Sequence, residues 1–246
     1  MIIQETSPLK RLPSNLNPQQ ALFLDGIRFS VEMVDVAYSR LLKTLLNLST
    51  VQDAVQKQGA VEALLDAWSI VDAIHRLREL LQQMPHLKRS LSVNLFLRKT
   101  TTYKDLRNSI QHLRGDIAVM ANKDMPVWGD LAWVTALDRE GKTIRSCVLV
   151  SGTIRRGTHP ILNPLEISTT GPVGSVTLIH NGHTVCLGDA VQFVAKITAS
   201  LESALAKQIG NLPKTPPTSG ADLLVTVDLA EVETSESSSA EGEEPR

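Results

Sequence analysis

The sequence predicts an α+β fold: an α-helical bundle, then a small antiparallel β-meander, a C-terminal helix and a disordered acidic tail. Three observations carry that reading. Apolar residues recur every three or four positions up to about residue 121. The period then changes to two beyond Pro126, and from Asn211 onward prolines, serines and acids replace the apolar pattern. The predicted units are an extended leader over 1–17, a helical bundle over 18–125, the meander with its helix over 126–210, and the tail over 211–246.

Each element has its own signals. Pro8 and Pro13 mark the leader, and Asn17 before Pro18 reads as an N-cap followed by proline at the first helical position. Leu22, Ile27, Val31, Val34, Tyr38, Leu41, Leu42, Leu45 and Leu48 form one broad stripe, which predicts a helix over about 18–48. Ser49 or Thr50 is placed to cap a second helix, whose apolar positions from Val55 through Trp68 and Ile74 to Leu81 keep the same spacing until Pro85. So short a connection predicts that the two helices are antiparallel. A third, weaker helix covers about Leu87 to Arg98. Thr102 with Asp105 three residues on resembles a capping box and opens a fourth, from about Tyr103 to Ala121.

Beyond Pro126, Leu131 to Leu137 and Thr143 to Ser151 flank Asp138–Lys142, while Ser175 to His180 and Thr184 to Leu187 flank Asn181-Gly182-His183. Both patterns predict hairpins, and Asn-Gly is the stronger turn signal. Arg155 to Gly174, rich in Gly, Pro and Thr, predicts a long loop. Asp189 is placed to cap a last helix that ends near Gln208, with Val191, Val194, Ile197, Leu201 and Leu205 on one side and packed back on the bundle. Leu223 to Val232 is a short apolar-acidic alternation within the tail.

Composition excludes several classes. No stretch approaches the ~18 uninterrupted apolar residues of a membrane span, and Met1 to Pro18 has no apolar run suited to a signal peptide, so a cytoplasmic protein with no membrane partner is expected. Cys147 and Cys186 are too few for a disulfide framework and read as small core residues. The net charge of -1 averages two unlike parts. Residues 221–246 hold eight acids and one base, which leaves 24 bases and 18 acids in 1–220, a net +6. Arg76 to Lys123 alone holds ten bases against Glu79, Asp105 and Asp116. That excess suits either a polyanionic partner or a solvated helical surface.

The fourth helix carries Arg107-Asn108-Ser109-Ile110-Gln111-His112. On a continuous helix Leu106, Ile110, Leu113 and Ile117 share one face, while Arg107 with Gln111 and Asn108 with His112 form a polar strip. Arg107 and His112 then flank a groove, about 140° apart around the axis, with Asn108 between them. This Arg-x-x-x-x-His motif, the only one in the chain, with a polar residue after the Arg and on the fourth helix, resembles the HEPN superfamily of helical-bundle proteins. The second helix around Asp66–Arg78 also has the look of that family.

The resemblance covers roughly residues 18–122. It implies a metal-independent endoribonuclease of a defence or toxin–antitoxin type system, acting as a homodimer on RNA, without cofactor or metal. Catalytic Arg107 and His112 would be supported by Asn108, and an antitoxin or defence-system protein is the implied further partner. The alternative it implies is a non-catalytic module of the same fold that binds nucleic acid or protein. The residue types fit cleavage: an imidazole serves as base or acid near neutral pH, and a guanidinium holds phosphate oxygens bidentately. The competing reading is that Arg107 pairs with Asp105 or Asp116 and that His112 is an ordinary surface histidine.

Other candidates have plainer roles. Asp72, His75 and Arg76 read as a buried polar network linking helices, with lining of the Arg107 groove as the sharper alternative. His180, His183 and Cys186, with His159, are metal-capable, but a hairpin holds three of them in an awkward geometry for one ion. Trp128 and Trp133 read as packing anchors. The acidic tail is placed to compete with RNA for the basic groove.

Overall fold

The computed structural model describes residues 1–50, 56–85, 90–138, 143–152, 171–210 and 222–226. Asn17 caps the first helix as expected, its Oδ1 accepting from Gln19 N at 2.9 Å. Helix α1 runs Pro18–Thr50 and α2 runs Gln56–Gln83. Buried Ile27, Val31, Val34, Leu41 and Leu45 on α1 meet Ala67, Ile70, Ile74, Leu77 and Leu81 on α2 in one core. Gly26 near the start of α1 lies against Leu80 near the end of α2, and Gly59 lies against Leu48, so the pair is antiparallel. Helix α1 outruns its predicted end, and Ser49 does not cap its successor. Its hydroxyl donates to Leu45 O at 2.8 Å and accepts from Trp133 Nε1 at 2.8 Å, which fastens the helix end to the sheet.

The leader is wound into turns rather than extended. Ser7 N donates to Gln4 O and Lys10 N to Ser7 O, both at 3.0 Å, and Ile3, Leu9 and Leu12 are buried. Three apolar side chains within ten residues are enough to draw the segment onto α1.

Helix α3, Leu91–Lys99, is capped by Ser90, whose side chain accepts from Val93 N. Helix α4 begins at Thr101, one residue before the predicted cap, and no capping box forms at Thr102. The buried Thr100 hydroxyl instead donates to Phe96 O and accepts from the Arg78 guanidinium. The predicted fourth helix is also broken: α4 ends at Gln111, His112 has φ −97° and ψ 16°, and α5 runs Leu113–Asn122. The stripe explains the break. Leu106 is fully buried, but Ile117 is 50% exposed, and α5 turns to bury Met120 instead.

Strands β1 (Asp130–Ala136), β2 (Ile144–Val150), β3 (Val173–His180) and β4 (His183–Cys186) form one antiparallel sheet. Its order is β2-β1-β3-β4, so it is not the predicted meander. Leu131, Ala132, Trp133 and Val134 are all buried, which suits a central strand, whereas every residue of β2 keeps some exposure and suits an edge. Both hairpins pair as predicted. Asn181 and Gly182 have φ 47° and 81°, the left-handed pair a two-residue hairpin turn requires.

Helix α6, Leu187–Gly210, starts directly out of β4, so Asp189 lies in its first turn and is not its cap. A carboxylate there still complements the helix dipole. The helix packs on α3, α1, α2 and β3, and one core runs through the helices and the inner face of the sheet. The predicted loop over Arg155–Gly174 and the acidic tail lie almost wholly outside the described residues. Among those residues no helix is long and apolar enough to cross a membrane.

Candidate functional site

Arg107 leaves α4 toward α2. Its Nε stands 3.6 Å from Asp72 Oδ1, and its Nη1 donates to Gln111 Oε1. Asp72 also accepts from Arg76 Nε at 2.6 Å. One carboxylate thus holds two guanidiniums at the α2–α4 boundary, and it is Asp72 rather than Asp105 or Asp116 that pairs with Arg107. Asp72 and Arg76 are 41% and 61% exposed, so the network links helices at the surface, not in the core. The buried member is His75. Its Nε2 lies 3.3 Å from Glu79 Oε1, and burial pushes the ring below the ordinary imidazole range, with Glu79 opposing and the Arg107 charge reinforcing.

His112 is exposed at the α4–α5 break, and Asn108 is half-buried one turn back, its carbonyl accepting from His112 N at 3.0 Å. The structure therefore joins Arg107 to Asp72, Arg76 and Gln111, while His112 projects from the end of the same helix.

Asp72 also lines a groove between α1 and α2, together with Phe29, Glu32, Met33, Val36, Ala37, Arg40, Asp66, Ser69 and Ala73. Asp66 is the residue that sequence reasoning passed over. It is 3% exposed; its Oδ1 lies 3.2 Å from Arg40 Nη2, and its Oδ2 has no hydrogen-bond partner among the described residues. Burial raises its carboxyl above the usual range, with Arg40 opposing. The signal was there to read, because position 66 falls inside the buried stripe of Ala63, Ala67 and Ile70.

At the groove's edge the Arg28 guanidinium lies 4.1 Å over the Phe29 ring and holds both oxygens of Asp222, at 2.5 and 3.1 Å. That pairing draws the Asp222 carboxyl below its ordinary range. Leu223, Leu224 and Val225 follow, all exposed.

Trp133 is a packing anchor as expected, 3% exposed, but Trp128 is half exposed and contributes its carbonyl, which accepts from Trp68 Nε1 at 3.1 Å. Trp68 meets His180 edge to face, ring centroids 5.2 Å apart. His180 and His183 are cross-strand partners, whereas Cys186 pairs with Thr177. Among the described residues no three His, Cys, Asp or Glu side chains are grouped to hold a metal ion. His159 lies outside those residues. Compared with protein-family models, curated proteins and solved structures, the chain matches none.

Proposed function

We propose that the chain is a HEPN-like, metal-independent endoribonuclease of a defence or toxin–antitoxin type system. In this reading Arg107 and His112 act at the cleavage groove and Asn108 supports them. The observation that carries it is the position of Arg107, fixed by Asp72 and Gln111 beside a groove and on the helix that ends in exposed His112. Cleavage needs a base on the ribose 2′-hydroxyl, a cation on the phosphate and an acid on the departing 5′-oxygen. The base takes the 2′-hydroxyl proton and the 2′-oxygen bonds to phosphorus as the bond to the 5′-oxygen breaks, while the acid gives a proton to that departing oxygen. His112 supplies one proton role per chain, so a homodimer supplies both. Single-stranded RNA incubated in EDTA should be cut by the parent and left intact by His112→Ala; equal inactivity of the two rejects the enzyme.

The pairing of Arg107 with Asp72 favours one second reading, a non-catalytic module of the same fold that binds nucleic acid or protein and uses the arginine structurally. In that case Arg107→Ala changes stability and no RNA is cut.

The acidic tail competes with RNA for the basic surface in this account; the one acid among its described residues, Asp222, is held by Arg28 on α1. Cutting the chain after Gly220 should strengthen RNA binding at low salt, where unscreened charges act furthest. Unchanged affinity rejects the competition.

A further inference from the structure

The outer face of α1 and α2 is bare. Leu22, Phe29, Met33 and Val36 on α1, with Val61 and Leu65 on α2, are large apolar side chains between 43% and 72% exposed. At 100° per residue the four on α1 fall, with Arg40, within an arc of about 60°. Their steps of seven, four, three and four residues are those of a heptad seam, the pattern by which one helix seats on another. Beside the seam runs the α1–α2 groove of about 490 Å³, lined in part by the small side chains of Ala37, Ser69 and Ala73.

Charge selects what covers the face. Asp25 and Glu32 flank the first half of the seam, Arg40 and Lys43 the second, so the sign reverses along the helix. Asp25 and Arg40 are 48% and 59% exposed. A uniformly basic or uniformly acidic partner would be repelled at one end, whereas a second copy laid antiparallel sets each half against its opposite. The chain's own tail leaves the face open: Asp222 is clasped by Arg28 next to Phe29, yet Leu223, Leu224 and Val225 stay exposed.

We propose that two copies of the chain pair through this face, antiparallel, about a twofold axis beside Glu32 and Met33. Every contact is then made twice. Phe29 comes level with the partner's Val36, and Asp25 with the partner's Arg40. The partner's Phe29 falls beside Val36, Ala37 and Ser69, where the groove receives it as a hole receives a knob. Leu22 comes level with the partner's Lys43. Because Gly26 lies against Leu80 and Gly59 against Leu48, Val61 and Leu65 stand on either side of the Lys43 level. Helices crossing at about 20° carry the partner's Leu22 over them. From Leu22 to Lys43 the face is about 32 Å long and two helices of about 10 Å wide, close to the ~800 Å² per subunit that stable dimers bury.

The pairing stands on this face and not on RNA cleavage, and it is tested with the full chain. Analytical ultracentrifugation should find a dimer. Met33→Glu, which puts a charge at the centre of the seam on an exposed position, should weaken pairing at least tenfold while unfolding like the parent. Register is read by cross-linking with copper–phenanthroline as oxidant. Met33→Cys should form a covalent dimer across the axis, and Leu22→Cys, although more exposed, should not, because the two copies of that position lie about 30 Å apart. A parent that sediments as a monomer, a Met33→Glu protein that pairs as tightly as the parent, or Leu22→Cys linking as readily as Met33→Cys overturns the proposal. The nuclease fails separately. A dimer that cuts no RNA keeps this face and removes the cleavage reading, and cleavage by an unpaired chain does the reverse.

Discussion

Gly129→Ala should lower stability by about 4 kcal/mol, combining a left-handed backbone with a steric clash. Gly129 has φ +77°, and its N–H donates to Pro126 O at 3.1 Å in the turn that leads from α5 into β1. A Cβ there would sit 2.3 Å from Ile179 O and 3.0 Å from His180 Cβ. The Ile179 oxygen belongs to the backbone of β3, paired on one side with β1 and on the other with β4, so it cannot step aside without parting the sheet. Gly115 is the matched control. It lies inside α5 with no atom within 4 Å of a built Cβ, so Gly115→Ala should stabilise by about 0.5 kcal/mol. Urea unfolding of both variants checks the pair, and a Gly129→Ala protein as stable as the parent would refute the packing of this turn.

Between pH 7 and pH 4 the parent should lose about 3 kcal/mol more stability than His180→Leu. His180 is 2% exposed, both ring nitrogens lack hydrogen-bond partners among the described residues, and its face is closed by Trp68. Burial pushes its pKa down to about 4, the His183 charge adds to the depression, and Asp116 opposes it. The unfolded chain takes up a proton near pH 6.5 that the folded chain refuses until about pH 4. The stabilisation is therefore whole above about pH 6.5 and drains away as the pH falls through that window. The difference between parent and variant isolates this one group from the carboxylates that titrate in both. Parallel pH profiles would show that the His180 ring reaches water.

What was legible in the sequence follows from what a one-dimensional pattern encodes. The stripes of α1 and α2, the Asn17 cap and the Asn181-Gly182 turn are local and appeared where expected, except that Leu22, read into the α1 stripe, is 72% exposed. Strand order was not legible, because the pairing of β1 with both β2 and β3 depends on which strand loses solvent on two sides. The break at His112 was hidden for a similar reason: Ile117 continues the apolar spacing but finds no neighbour to bury it. At the candidate site, the motif and the Asp72 cluster were readable, but their meeting was not. Arg107 reaches Asp72 only because α4 crosses α2, and Asp66 lines the same groove only because α1 lies beside it.

If Arg107 and His112 form a metal-independent nuclease site, RNA incubated with the full chain in EDTA should yield fragments ending in 2′,3′-cyclic phosphate and 5′-hydroxyl. Removing a general acid–base group costs about 10²–10⁴-fold, so His112→Ala should slow their appearance at least a hundredfold while unfolding like the parent. Fragments formed equally fast by His112→Ala, or RNA left intact by a folded parent, would contradict the account.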